Sequence, residues 1–232
     1  MFHYQEILAG SKRDIYRFPF DPVDSNMYFI PDGEAGIVFD PNENEELLSV
    51  FKQNGTRKVT IVLTHEHYDH TNGVPWLQSR IESQLFCHRD CARSIASEKG
   101  NDPKLVAFVL SAKDAVDGGH RYELFKRTFK HYTLQADETF DGESVLHVGS
   151  ITIACYSMPG HSPGSSVFIW DGHCAFTGDS LIQNTPTILR FPESDKLVYE
   201  RVTRPFLRSL DKQMMVYPGH GEPFRITEAK YL

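Results

Sequence analysis

Long apolar runs are missing from this chain. No stretch approaches the roughly 18 uncharged apolar residues that a membrane-crossing helix needs, so none is expected. The first twenty residues carry Glu6, Lys12, Arg13, Asp14 and Arg17 and lack an apolar core of signal-peptide length. A cytoplasmic location is therefore the default expectation. Cysteine is scarce, with 4 in 232 residues. Cys87 and Cys91 have no second pair at zinc-ribbon spacing, so the four thiols, with Cys155 and Cys174, are expected to be reduced and mostly buried. Basic residues are in the minority, 24 Lys and Arg against 31 Asp and Glu, for a net charge of −7. An acidic surface without a basic run repels phosphate backbones, which disfavours nucleic acid and membrane surfaces and leaves a small-molecule substrate. Oligomeric state has no signature.

What remains is an ordinary globular composition, 40% hydrophobic and 24% charged, in a chain long enough to bury a core without disulfides. Short β-type runs at Asn26–Ile30 and Gly36–Phe39 flank the turn residues Pro31, Asp32 and Gly33. Asp40-Pro41-Asn42 then opens a helix over about Glu43–Gln53, which Asn54-Gly55 stops. Val59–Leu63 is a mostly apolar, β-branched run, the pattern of a buried strand. Helices are predicted over Val74–Glu82, Cys91–Ser97, Pro103–Asp114 and Arg121–Phe129. Strands return at Ser144–His147, Ile151–Tyr156, Ser166–Trp170 and Cys174–Thr177, and a helix over Glu193–Leu210 precedes a last strand at Met214–Tyr217. Two blocks of strands and helices predict an α/β sandwich with helices on its outer faces.

The chemistry concentrates in Thr64-His65-Glu66-His67-Tyr68-Asp69-His70. Four potential ligands lie within six residues, directly after a hydrophobic strand. In a loop leaving that strand, His65 and His67 can face one metal and Asp69 and His70 another. A solvated polar loop is the bland alternative, but three histidines in six residues lie far above background. Three later segments repeat one design, a strand followed by a glycine-flanked polar residue: Gly160-His161-Ser162, Gly178-Asp179-Ser180 and Pro218-Gly219-His220-Gly221. A glycine beside each ligand lets the backbone turn sharply and approach closely. One such pair would read as a turn; three, in a chain with the His65 cluster, point to a metal site.

The order H-x-H-x-D-H, G-H-S, G-D and P-G-H-G, with Asp40 ending an early strand, resembles the metallo-β-lactamase superfamily from about Asn26 to Glu222. The resemblance implies a four-layer αββα sandwich, one domain over 1–232, with a helical insertion at about 90–135. It implies two divalent metal ions, zinc first, with iron or manganese as substitutes. His65, His67 and His161 would hold one metal, Asp69, His70 and His220 the other, and Asp179 both. Asp40 would orient a ligand imidazole from behind. The activity implied is hydrolysis of a thioester, ester or lactone by a hydroxide bridging the two metals, with Asp69 or Asp179 passing a proton to the leaving group.

Departures narrow the branch. Asp179 is absent from true β-lactamases, and Ile182 stands where homoserine-lactone lactonases carry a tyrosine. The pattern is closest to glyoxalase II and its short relatives, which cleave thioesters, yet only 12 residues follow His220, too few for the glutathione-binding helical domain. A mononuclear iron oxidoreductase of the persulfide-dioxygenase type is the alternative, and a non-enzymatic metal-binding member is a third. The 103–132 segment, with Phe108, Tyr122, Phe125, Phe129 and Tyr132, is expected to form a lid or wall over the site, although most of these aromatics would pack the helices onto the core. Tyr68 could line the pocket, and Arg190 could meet an anionic group. His88, His120, His131, His147 and His173 belong to no motif.

Overall fold

A computed structural model describes residues 1–8, 11–20, 23–97 and 103–232. In chain order the elements begin with β1 (Phe2–Leu8), β2 (Ser11–Phe20), β3 (Ser25–Asp32), β4 (Ala35–Phe39), α1 (Glu45–Asn54) and β5 (Lys58–Val62). There follow α2 (Tyr68–Thr71), α3 (Val74–Gln78), β6 (Glu82–His88), α4 (Arg89–Ile95), α5 (Lys104–Asp117), α6 (Arg121–Thr128) and β7 (Glu138–Phe140). The second half holds β8 (Glu143–Val148), β9 (Ile151–Ser157), β10 (Ser166–Trp170), β11 (Cys174–Gly178), α7 (Lys196–Val198), α8 (Arg204–Ser209), β12 (Met215–Pro218) and β13 (Phe224–Arg225).

Two sheets result. The first has 7 strands in the order β1-β2-β3-β4-β5-β6-β7, the second 6 in the order β13-β12-β11-β10-β9-β8. Their facing sides share one core, in which Tyr28, Phe39 and Phe140 of the first sheet meet Phe168, Phe176 and Tyr217 of the second. Phe39 stacks on Phe176 with ring centroids 4.2 Å apart. The outer face of the first sheet (Phe29, Val38, Ile61, Leu85) buries Leu47, Phe51, Leu77 and Ile95 from α1, α3 and α4. The outer face of the second (Val167, Ala175, Val216) covers Leu207 of α8. These are the four layers of the expected αββα sandwich.

Local chemistry explains the boundaries. Asn44 caps α1 by accepting from the Glu46 amide, and Gly55 ends it in the left-handed region at φ 73°. Crossovers through helices make β4, β5, β6 and β7 parallel neighbours, which is why β5 is apolar on both faces.

Several expectations need correction. Val74–Glu82 is not one helix: α3 stops at Gln78, and Glu82 opens β6, an unforeseen strand that buries Leu85 to His88. Phe2–Leu8 and Ser11–Phe20, where no element was expected, are the antiparallel strands β1 and β2. The helix over 193–210 is broken into α7, a π-helical turn at Tyr199–Thr203 and α8. Pro205, in the first turn of α8, lacks the amide that would have continued an α ladder. Between β6 and β7 the chain forms α4, α5 and α6, and residues 98–102 of the 90–135 span expected to be a helical insertion lie outside the described residues.

Candidate metal centre

Each candidate ligand follows the end of a strand. β5 leads into the loop bearing His65 and His67 and then into α2, which carries Asp69 and His70. His161 follows β9, Asp179 follows β11 and His220 follows β12. β9, β11 and β12 run in one direction, so their carboxyl ends meet at one edge of the sandwich, the usual place for a site in such sheets. Two glycines make the convergence possible. A Cβ on Gly219 would collide with Asp179 Oδ1 and the Gly178 backbone, and Gly178, at φ 49°, has no room for one against Thr64.

His65, His67 and His161 form a tight triangle. His65 Nε2 lies 3.1 Å and His161 Nε2 3.0 Å from His67 Nδ1. The far nitrogens of two rings are already committed. His161 Nδ1 donates to the Ile188 carbonyl at 2.9 Å, and His65 Nδ1 donates to Thr64 Oγ1 at 3.1 Å, which in turn donates to Asp40 Oδ2 at 2.6 Å. Those bonds assign the protons to Nδ1 and leave both Nε2 lone pairs aimed at His67. Three nitrogens bound at tetrahedral zinc distances would stand about 3.3 Å apart, close to this spacing.

Asp69, His70 and His220 form the second group. Asp69 Oδ2 lies 3.6 Å from His70 Nε2 and 3.4 Å from His220 Nε2. His70 Nδ1 donates to Asp40 Oδ2 at 2.9 Å, and His220 Nδ1 donates to the Val23 carbonyl at 3.1 Å. Asp179 faces both groups: Oδ2 is 3.5 Å from His161 Nε2, while Oδ1 is 3.5 Å from His70 Nε2 and 3.4 Å from His220 Nε2. His70 Nε2 and Asp179 Oδ1 are buried without a hydrogen-bond partner. Buried polar atoms are rarely left so, and a dication between them satisfies both. The donor set therefore fits two metals, one per group, with a carboxylate facing each.

The two groups differ in charge. Burial, reinforced by neighbouring imidazoles, holds His65 well below the ordinary imidazole range and His67 at about 3, and lowers His161. These rings are neutral and ready to ligate. Burial also opposes charge on His70, but Asp69, Asp40 and Asp179 outweigh it and push His70 up to about 9; Asp179 and Asp69 raise His220 well above the ordinary value. In return the imidazoles keep Asp69 at about 2, despite burial, and hold Asp179 well below the ordinary carboxylate range.

A cavity of about 560 Å³ opens on the site, with His67, Asp69, Asp179 and His220 in its wall. α5 contributes Val106 and Val109, as the lid expectation required, but a larger share comes from the 182–191 loop, and Phe2, Arg17 and Pro19 supply a third side. Tyr68 does not line the cavity: it packs under α5 and α6 against Phe125, Phe129 and Tyr132. Arg190 is exposed and outside the wall. The five motif-free histidines join neither ligand group, and all four cysteines are buried free thiols.

Sequence reasoning missed three supports. Arg17 Nη1 donates to the Gly221 carbonyl at 2.7 Å, and Asn26 Nδ2 donates to the carbonyls of Pro218 and Gly221, so the two clamp the His220 loop. Glu66 turns away from the metals and accepts from the Gly164 amide at 3.2 Å, joining the first ligand loop to the His161 loop; burial raises its carboxyl to about 7. The letters of Gly160-His161-Ser162-Pro163-Gly164 also spell the G-x-S-x-G of a serine nucleophile. Here Ser162 is buried and bonded to Ser165 Oγ at 2.9 Å, so it serves the loop.

Residues 20–220 match the metallo-beta-lactamase superfamily, and the chain belongs to it. A probable metallo-hydrolase of Bacillus subtilis, YqgX, is 25% identical over 219 residues, covering 88% of this chain and 89% of the relative. A hydroxyacylglutathione hydrolase of Anaeromyxobacter dehalogenans is 24% identical over 197 residues, 85% of this chain but 61% of that protein. Among solved structures, the BLEG-1 B3 metallo-beta-lactamase superposes with a TM-score of 0.70 at 22% identity, covering 92% of this chain and 95% of that one. A di-iron-bound form of TTHA1623 gives 0.66 at 22% identity, covering 91% and 95%. Among the described residues, no helix is long and apolar enough to cross a membrane.

Proposed function

We propose that this chain is a binuclear metallo-hydrolase that cleaves a thioester, ester or lactone. The observation that carries the reading is Asp179, whose two oxygens face different ligand groups, with Oδ1 and the neighbouring His70 Nε2 buried and unpaired. His65, His67 and His161 would hold one metal, Asp69, His70 and His220 the other. Zinc suits this nitrogen and oxygen set, and the di-iron form of a structural neighbour supports iron as a substitute. When bound, such a pair supplies a water of lowered pKa and a Lewis acid for the carbonyl.

The chain's own residues do the rest. The backbone carbonyls of Ile188 and Val23 and the Asp40 carboxylate fix three ligand rings in the tautomer that presents Nε2. Asp69 and Asp179, both held anionic, stand at the cavity wall where a proton must pass to a leaving group. The name of the Anaeromyxobacter relative favours a thioester; the match covers 61% of that protein, so its glutathione specificity stays with the relative.

A single-iron oxidoreductase would need only the three-histidine group and leaves the Asp69–His70–His220 group without a task. Elemental analysis of protein reconstituted separately with zinc and with iron, followed by a panel of thioesters, lactones and β-lactams, tests both readings. Two metals per chain with thioester or lactone turnover is expected. A folded, saturated sample that holds one metal per chain overturns the binuclear reading.

A further inference from the structure

We infer that the substrate's acyl group is an uncharged hydrocarbon chain, seated between the 182–191 loop and α5. The inference takes the position of the reacting carbonyl from the hydrolase reading and adds what is attached to it.

The walls are apolar from the ligands outward. The Phe191 ring lies 5.3 Å edge-on from His67 and 5.7 Å from His161, so no polar spacer separates the three-histidine group from the apolar surface. Val109, Ile182 and Ile188 continue it, each partly exposed to the cavity's water. A concave apolar surface left partly wet beside a reactive centre is the usual form of a ligand site.

The charges point the same way. Among the described wall residues, Arg17 is the only Lys or Arg. Its side chain is 3% exposed; it bonds to the Gly221 carbonyl and Glu222, and stacks on Phe2 with its guanidinium carbon 4.5 Å from the ring centroid. Asp24, also in the wall, is already paired with Lys113 at 3.0 Å. Asn26 spends its amide on two carbonyls, and Asn184 donates to Gln183. Among the described wall residues, a carboxylate or phosphate on the substrate's tail would find no cation free to receive it and would meet Asp24 and Glu222. A hydrocarbon chain needs none of these groups and covers Val109, Ile182, Ile188 and Phe191. Each methylene that leaves water contributes roughly a three- to fourfold gain in affinity.

Straight-chain carboxylates from acetate to decanoate, titrated calorimetrically into the metal-loaded protein, test this as product-like probes. Kd should fall about three- to fourfold per added methylene until the cavity is filled. Val109→Asp and Ile182→Asp, both at partly exposed positions, should flatten the series while elemental analysis finds unchanged metal. Equal Kd values for acetate and decanoate, or an unchanged slope in both variants, overturn the inference. The matching acyl thioesters separate it from the hydrolase reading. No turnover of any thioester beside a steep carboxylate series refutes hydrolysis of thioesters and keeps the chain seat. Turnover independent of chain length, beside a flat carboxylate series, refutes the seat and keeps the hydrolase.

Discussion

The two halves of the candidate metal centre hold their histidines in opposite electrostatic states. Around His65, His67 and His161, burial wins and the imidazoles are neutral, with lone pairs converging at 3.0–3.1 Å. Around His70 and His220, carboxylates win and hold the imidazoles above their ordinary range. The difference follows from partners. His65 and His161 rest on Thr64 and a backbone carbonyl, whereas His70 is enclosed by Asp40, Asp69 and Asp179. The first half is thus prepared for a metal, and the second must exchange protons for one. Asp179 belongs to both, so its loss and the loss of Asp69 should separate the halves.

The largest effect is expected from Asp179→Ala. It removes the carboxylate that faces both groups, and turnover should fall by about three orders of magnitude or more, since metal positioning and charge screening fail together. Asp69→Ala touches only the acidic half and should cut metal content from two per chain to one, held by His65, His67 and His161. His131→Ala, at an exposed ring outside both groups, is the control and should keep both metals. Elemental analysis and steady-state rates on the same samples check this. Asp179→Ala retaining two metals and full rate removes its bridging role.

A second, intermediate effect is the pH dependence of metal uptake. In the metal-free protein His70 titrates near 9 and His220 well above its ordinary value, so both are protonated at neutral pH. A metal entering this half must release about two protons, and its affinity should fall by about a hundredfold per pH unit between 8 and 6. The three-histidine half is neutral over that range and should change little, because His67 takes up a proton only near 3. Competition titrations with a chelator at several pH values, read against proton release in weak buffer, measure both slopes. Equal slopes for the two metals contradict the contrast between the halves.

How much of this the sequence disclosed follows the same contrast. The candidate ligands that the structure brings together were legible because metal chemistry restricts residue type, and four of them share the short segment 65–70 after one strand. His161, Asp179 and His220 were legible through glycines whose absent Cβ atoms make room, as at Gly178 and Gly219. The cavity was not legible, because its wall brings Phe2, Arg17, Val109 and Ile182 together from distant parts of the chain, and nothing periodic marks the 182–191 loop. The β1–β2 hairpin escaped for a related reason. Its charged residues served only to exclude a signal peptide, yet Arg17 is buried on Glu222 and Gly221, and Arg13 reaches Asp32 and Ser150. Tertiary partners, invisible locally, make those strands acceptable.

The smallest expected effect concerns the edge of the sandwich away from the metals. There the sheets are joined by protein atoms alone: Asp32, ending β3, accepts from the Ser150 amide, from Ser150 Oγ at 2.7 Å and from Arg13 at 3.3 Å. Ser150 sits in the β8–β9 turn of the second sheet. Burial would raise Asp32, but these donors outweigh it and lower its pKa. Because the folded pKa lies below the unfolded one, the stabilisation is present at neutral pH and is lost as pH falls through the folded value. Asp32→Ala should therefore cost about 1 kcal/mol at pH 7, a melting point roughly 2–4 °C lower for a chain of this size. The gap should close as the pH falls through the lowered value of the folded carboxyl, below which the wild-type side chain is also protonated. Metal content and turnover should stay at wild-type levels, since Asp32 ends β3 opposite the Ser25 end that pairs with His220. Thermal melts of both proteins across pH 3 to 7 decide it, and a gap that persists undiminished at the acid end means that packing, not charge, joins the sheets at that edge.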